Sequence, residues 1–158
     1  MIQPPGYPPI DREVESSLQS YAIFADDIRR EDSGKLLLIG VYVDDIIVPQ
    51  FPAAIPGLAI LTVIAWPQVE GDKKITLRVY QGDQLVVELK DIAGSSPVQD
   101  RSEGNPSGIP KVRRVRTFLR TPPLLFDGPT ALRVRVDTGD AVHRTGVLRV
   151  IAESQLGT

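Results

Sequence analysis

Cysteine is missing from all 158 residues, so the chain can build no disulfide framework, no thiolate metal site and no thiol nucleophile. Histidine occurs once, at His143, and any histidine-dependent acid–base or metal chemistry would have to pass through that ring. It follows an expected strand start, stands beside Arg144, and has no local serine or HxH partner, which reads as an ordinary surface or edge histidine. Long apolar runs are also absent: charges, prolines or glycines interrupt every window well short of the roughly 20 residues a membrane span needs. The opening residues MIQPPGYPPI carry neither a basic leader nor a continuous apolar stretch, so no secretory signal is expected there and the expected location is cytoplasmic. No GxSxG elbow, no GxxxxGK[ST] phosphate loop and no strand-to-helix GxGxxG is present. No catalytic residue, no cofactor and no metal ligand is therefore assigned from the sequence.

What the chain does have is an apolar period close to two. Ile75, Leu77 and Val79 alternate with Thr76, Arg78 and Tyr80, and Leu132, Val134 and Val136 alternate with Arg133, Arg135 and Asp137. Leu85, Val87 and Leu89 form a similar run, joined to the first through Gln81-Gly82-Asp83 as a hairpin. Further strands are expected over residues 20–28, 35–48, 58–66, 111–120 and 141–152. Only residues 11–18 hint at a helical turn. The 14 prolines fall mainly between these runs. The expected fold is all-β: a single antiparallel β-sandwich of about seven to nine strands, immunoglobulin-like or C2-like, with little helix. Residues 1–18 read as a Pro-rich N-terminal arm and 19–154 as the sandwich. A polar, Gly/Ser/Pro-rich stretch at 93–110 is expected to be a mobile loop. Residues 49–56, with Phe51 and Ile55 set between prolines, are expected to be an ordered crossing that tucks those side chains onto the core.

The clearest single unit is 21–49. Two apolar runs flank Arg30-Glu31-Asp32-Ser33-Gly34, where Asp and Ser can fold back on their own backbone and Gly can take positive φ. Its second strand, Leu36 through Val43, is apolar on both pleat faces, and so is Leu58 through Trp66. A strand with one wet face should not read this way. Something has to cover that sheet: the N-terminal arm, the 49–56 crossing or a second copy of the chain. Leu36, Leu38, Tyr42, Leu61 and Val63 are the residues expected at such an interface.

Charge is asymmetric within a net of -2. Acids dominate the first half, whereas Arg113, Arg114, Arg116 and Arg120 head a basic stretch in the last third that could meet an anionic partner. Asp127, Asp137 and Asp140 lie among those arginines, so cross-strand ion pairs on a solvated sheet face are the plainer expectation. Nucleic acid is not the expected partner: the pI is about 5.4, and the strand count exceeds that of a five-stranded oligonucleotide-binding barrel. Asp26-Asp27 and Asp44-Asp45 invite a calcium reading, because a hard cation wants several carboxylate oxygens. Yet a hairpin turning near Asp32 sets Asp44 opposite Ser20, about 20 Å from Asp26. Trp66, Tyr42 and Tyr80 could stack a sugar, but Trp66 and Tyr42 sit in the doubly apolar strands and read as core or interface.

The string Phe24-Ala25-Asp26-Asp27-Ile28-Arg29, with Gly34-Lys35, Leu38-Ile39-Gly40-Val41-Tyr42, Asp45-Ile46, Val48-Pro49 and Pro52, resembles an uncharacterised bacterial family of similar length. The resemblance is most specific in this first third of the chain. It implies an all-β cytoplasmic bacterial protein and implies no activity. The functional expectation is a non-catalytic interaction module that forms a homo-oligomer through a sheet face, with no membrane partner and with a further protein partner open. The alternative is a binder of a small ligand or an anionic partner, or an enzyme, with its site under the 93–110 loop near His143 or Arg116.

Overall fold

The computed structural model describes residues 17–92 and 112–156. Residues 1–16 of the expected arm at 1–18, the loop at 93–110 and most of the hinted helical turn lie outside the described residues. Within them the protein is all-β, with two single-turn 3-10 segments. The strands are β1 (Gln19–Arg30), β2 (Leu36–Tyr42), β3 (Asp45–Val48), β4 (Ala53–Ile55), β5 (Ala59–Pro67) and β6 (Thr76–Gln81). They continue as β7 (Gln84–Leu89), β8 (Val112–Arg120), β9 (Leu124–Phe126), β10 (Thr130–Asp137) and β11 (Val142–Ala152).

The first hairpin closes as its residues demand. The Gly34 amide donates to the Glu31 carbonyl at 2.8 Å and the Glu31 amide to the Lys35 carbonyl at 2.9 Å, with Gly34 at φ +81°. A three-residue loop ending in a left-handed glycine is a common hairpin closure. It sets the register Arg30↔Leu36, Ile28↔Leu38 and Asp27↔Ile39. The second hairpin, β6–β7, turns through Gly82 at φ +57° and Asp83, and pairs Gln81 with Gln84.

Three sheets result: four strands in the order β2-β1-β5-β8, five in the order β3-β11-β10-β6-β7, and the pair β4-β9. The two large sheets share one core. Phe24, Ile60, Ile64, Trp66 and Val115 come from the four-stranded sheet; Leu77, Val79, Leu132, Val134, Leu148 and Val150 come from the other. Each such burial is worth roughly 1.5–3 kcal/mol before chain entropy is counted. The sheets touch at Gly146 of β11, where an added Cβ would stand 2.8 Å from Ala22 Cβ and 3.3 Å from the Phe24 ring.

Two expectations change. Residues 35–48 are not one strand. The chain leaves the four-stranded sheet at Val43-Asp44, and β3 joins the other sheet beside β11 in the one parallel pairing among the described strands. Asp45 is drawn there by Arg149, which grips its carboxylate with two hydrogen bonds of 2.8 Å. The hairpin register also differs: a turn centred on Ser33 rather than Asp32 shifts each pairing by two residues. The 49–56 crossing is ordered and packs Phe51 and Ile55 on the core, and it additionally forms β4 against β9.

Candidate interaction surface

Residues directly opposite one another in a sheet stand on the same face. Phe24 points into the core, and it pairs with Ile60, which is also buried. The other parity therefore builds the outer face of the four-stranded sheet. It carries Tyr21, Ile23, Ala25, Asp27 and Arg29 of β1; Leu37, Ile39 and Val41 of β2; Leu61, Val63 and Ala65 of β5; and Arg114, Arg116, Phe118 and Arg120 of β8. Leu61 and Val63 are buried beneath their tall neighbours. Tyr21, Leu37, Ile39, Val41 and Phe118 keep between 39% and 53% of their surface.

Of the five residues expected at an interface, Leu61 and Val63 lie on this outer face. Leu36, Leu38 and Tyr42 lie on the opposite pleat face, where Tyr42 packs against the core. The structure does not bring these two sets together. The β2 residues that do share a face with Leu61 and Val63 are Leu37, Ile39 and Val41. Parity was the available signal, because a core-facing Phe24 would have decided it once the register was known.

Along β2 runs LLLIGVY, with no charge and no proline, on an edge of the sheet among the described residues. It is anchored to β1 at Gly40, whose φ is +62°, and the Asp26 carboxylate fills the space a side chain there would need. The Tyr42 hydroxyl donates to Asp26 Oδ1 at 2.7 Å. Partial burial, with the neighbouring Asp26 carboxylate, pushes the Tyr42 phenol up to about 12.

The opposite edge is cationic, and its four expected anion-binding residues divide. Arg113 is turned to the other face from the rest, opposite Trp66, and is paired with Asp72. Arg120 reaches across β5 to Asp27 Oδ1 at 2.7 Å, and Arg29 holds the second oxygen of that carboxylate at 2.8 Å. The Arg29 guanidinium, aided by Arg120, holds Asp27 below the usual carboxylate range. Of the four, Arg114 and Arg116 have no ion pair among the described residues. They border a shallow depression of about 220 Å³ lined by Gln19, Tyr21, Val63, Ala65, Arg114 and Arg116. Its cause is plain in the register: Gln19, Ala65 and Arg114 form one row and Tyr21, Val63 and Arg116 the next, so short β5 side chains lie between long ones. Gln19, Tyr21 and Ala65 were not singled out from sequence.

Arg78 bridges Glu88 and Asp137, each at 2.7 Å, and lowers both carboxyls. Cross-strand pairing of an arginine from the basic stretch with an acid is present on the five-stranded sheet in Arg149 with Asp45. Among the described residues no group of three or more His, Asp or Glu side chains could hold a metal ion. Trp66 is buried and donates to the Gly71 carbonyl at 2.9 Å, away from Tyr42 and from Tyr80 on the other sheet. His143 is half-buried on β11 opposite Val136, on a different sheet from Arg116. No helix among the described residues is long and apolar enough to cross a membrane.

Residues 20–151 match a family of unknown function, DUF6941. No curated protein and no solved structure matches the chain.

Proposed function

The chain belongs to DUF6941, a family of unknown function, and from that premise we propose that it is a non-catalytic interaction module that self-associates through the β2 edge. The observation that carries this reading is the uncharged, proline-free β2 edge, whose outward side chains Leu37, Ile39 and Val41 are each more than a third exposed. Soluble proteins usually blunt such an edge with lysine, proline or a cover, because its free amides and carbonyls will pair with any strand that arrives. A second copy is the occupant that fits. Turned about a two-fold axis at Ile39, β2 sets Leu37 beside Val41 of the copy, an apolar ladder on both sides of the axis. The same operation brings the Lys35 end of one strand next to the Asp44 end of the other, and neither residue forms a salt bridge among the described residues, Asp44 lying only within the field of Arg149. The two four-stranded sheets would then run on as one.

Sedimentation velocity over a micromolar concentration series tests this. A dimer is expected for the native chain and a monomer for Ile39→Lys, with circular dichroism confirming that the variant is folded. A native chain that stays monomeric throughout the series would sink the reading.

A further inference from the structure

We infer that the depression between β1, β5 and β8 is a binding site for a small oxyanion carried on an apolar body, such as an aromatic carboxylate or phosphate ester. Arg114 and Arg116 stand two residues apart on the same face of β8, which places their stems about 7 Å from each other. Two guanidiniums at that spacing repel, and neither has a carboxylate partner among the described residues. The acid on the same face, Asp27, is already held by Arg29 and Arg120. An oxyanion lying between the pair would relieve that repulsion and accept charge-assisted hydrogen bonds from both. Opposite them, Tyr21 and Gln19 line the far wall, and each side chain carries a group that can donate a further hydrogen bond.

The floor decides what else the ligand carries. Val63 and Ala65 form an apolar base between the two polar walls, so a bare inorganic ion would leave it wet. A ring lying on Val63, edged by Tyr21, would cover it. At about 220 Å³ the space suits one ring and its charged group, below the size of drug-like pockets. Its β1 residues, Gln19 and Tyr21, precede the Phe24–Arg30 span of β1 that pairs with β2, so the site lies apart from the β2 edge.

An NMR titration tests the site, using phenyl phosphate, benzoate, inorganic phosphate and benzyl alcohol as probes, on the Ile39→Lys chain as well as the native one. Phenyl phosphate or benzoate should move the Val63 and Ala65 signals together with the side-chain Nε signals of Arg114 and Arg116. Whichever binds more tightly identifies the phosphate or the carboxylate as the source of the anion. Inorganic phosphate should move the arginines alone and more weakly, and benzyl alcohol should move nothing. Arg116→Gln should weaken binding by about tenfold or more, whereas Arg133→Gln on the other sheet should leave it unchanged. The inference is overturned if the probes shift all arginines alike, if Val63 and Ala65 stay still, or if Arg116→Gln binds as well as the native chain.

Discussion

The two edges of the four-stranded sheet solve the same problem in opposite ways. β8 ends the sheet with Arg113, Arg114, Arg116 and Arg120 within nine residues, whereas β2 ends it with seven residues that carry no charge. Both strands expose backbone to solvent among the described residues, and both stand beside an apolar interior. Charge on β8 penalises an incoming apolar strand, because stacking a second sheet there would desolvate guanidiniums. On β2 that penalty is missing. On the proposed reading, the open edge is the one that takes another chain, and the defended edge opposite it is the one that meets solvent or small anions.

Exchanging these properties is the strongest way to break the comparison. Ile39→Lys puts a cation at the centre of β2 and should convert dimer to monomer, the largest effect expected, read by sedimentation. The reverse exchange, Arg114→Val with Arg116→Val, should leave β8 undefended and produce species larger than a dimer, visible by light scattering as scattering mass that rises with concentration. Next in size is Gly40→Ala. A left-handed backbone costs a residue with a Cβ about 1–2 kcal/mol, and the added methyl also displaces Asp26, so chemical denaturation of the Ile39→Lys monomer should show a loss of at least that order.

The smallest effect belongs to Tyr42. Its phenol is raised from 10 to about 12 in the folded chain, so the fold favours the protonated form. That contribution is complete below the unfolded value and fades as pH rises from about 10 toward 12. Tyr42→Phe should cost about 1 kcal/mol at neutral pH and flatten the alkaline arm of the stability curve. Spectrophotometric titration should find one tyrosine fewer ionising late. If Tyr42→Phe leaves the alkaline arm unchanged, Asp26 does not anchor the β2 edge.

Much of this could be read from the residues in order. The turn at Glu31 to Gly34 and the β6–β7 hairpin through Gly82 depend on neighbours a few positions away, and the prolines around Phe51 and Ile55 mark that crossing locally even though its packing partners are distant. What was not legible depends on partners far along the chain. The departure at Val43-Asp44 is explained by Arg149, more than a hundred positions later. Leu36 and Leu38 look identical in kind to Leu37 and Ile39, and only the register to β1 and the core position of Phe24 assign them to opposite faces. Likewise Arg113 and Arg114 are adjacent in sequence, yet alternation sends one to Asp72 and the other to an open groove. The depression itself depends on three strands from separate regions, so no local motif announces it.

The parallel pairing of β3 with β11 carries a consequence in time. Asp45 to Val48 find their partners in residues 149–152, so this ladder must wait for the last-made strand while the β1–β2 hairpin can close at once. Long-range closure of that kind is slow compared with hairpin formation. During synthesis the open β2 edge therefore exists before the sheet beneath it is complete, and on the proposed reading two nascent chains on a crowded message meet through it before either has finished folding.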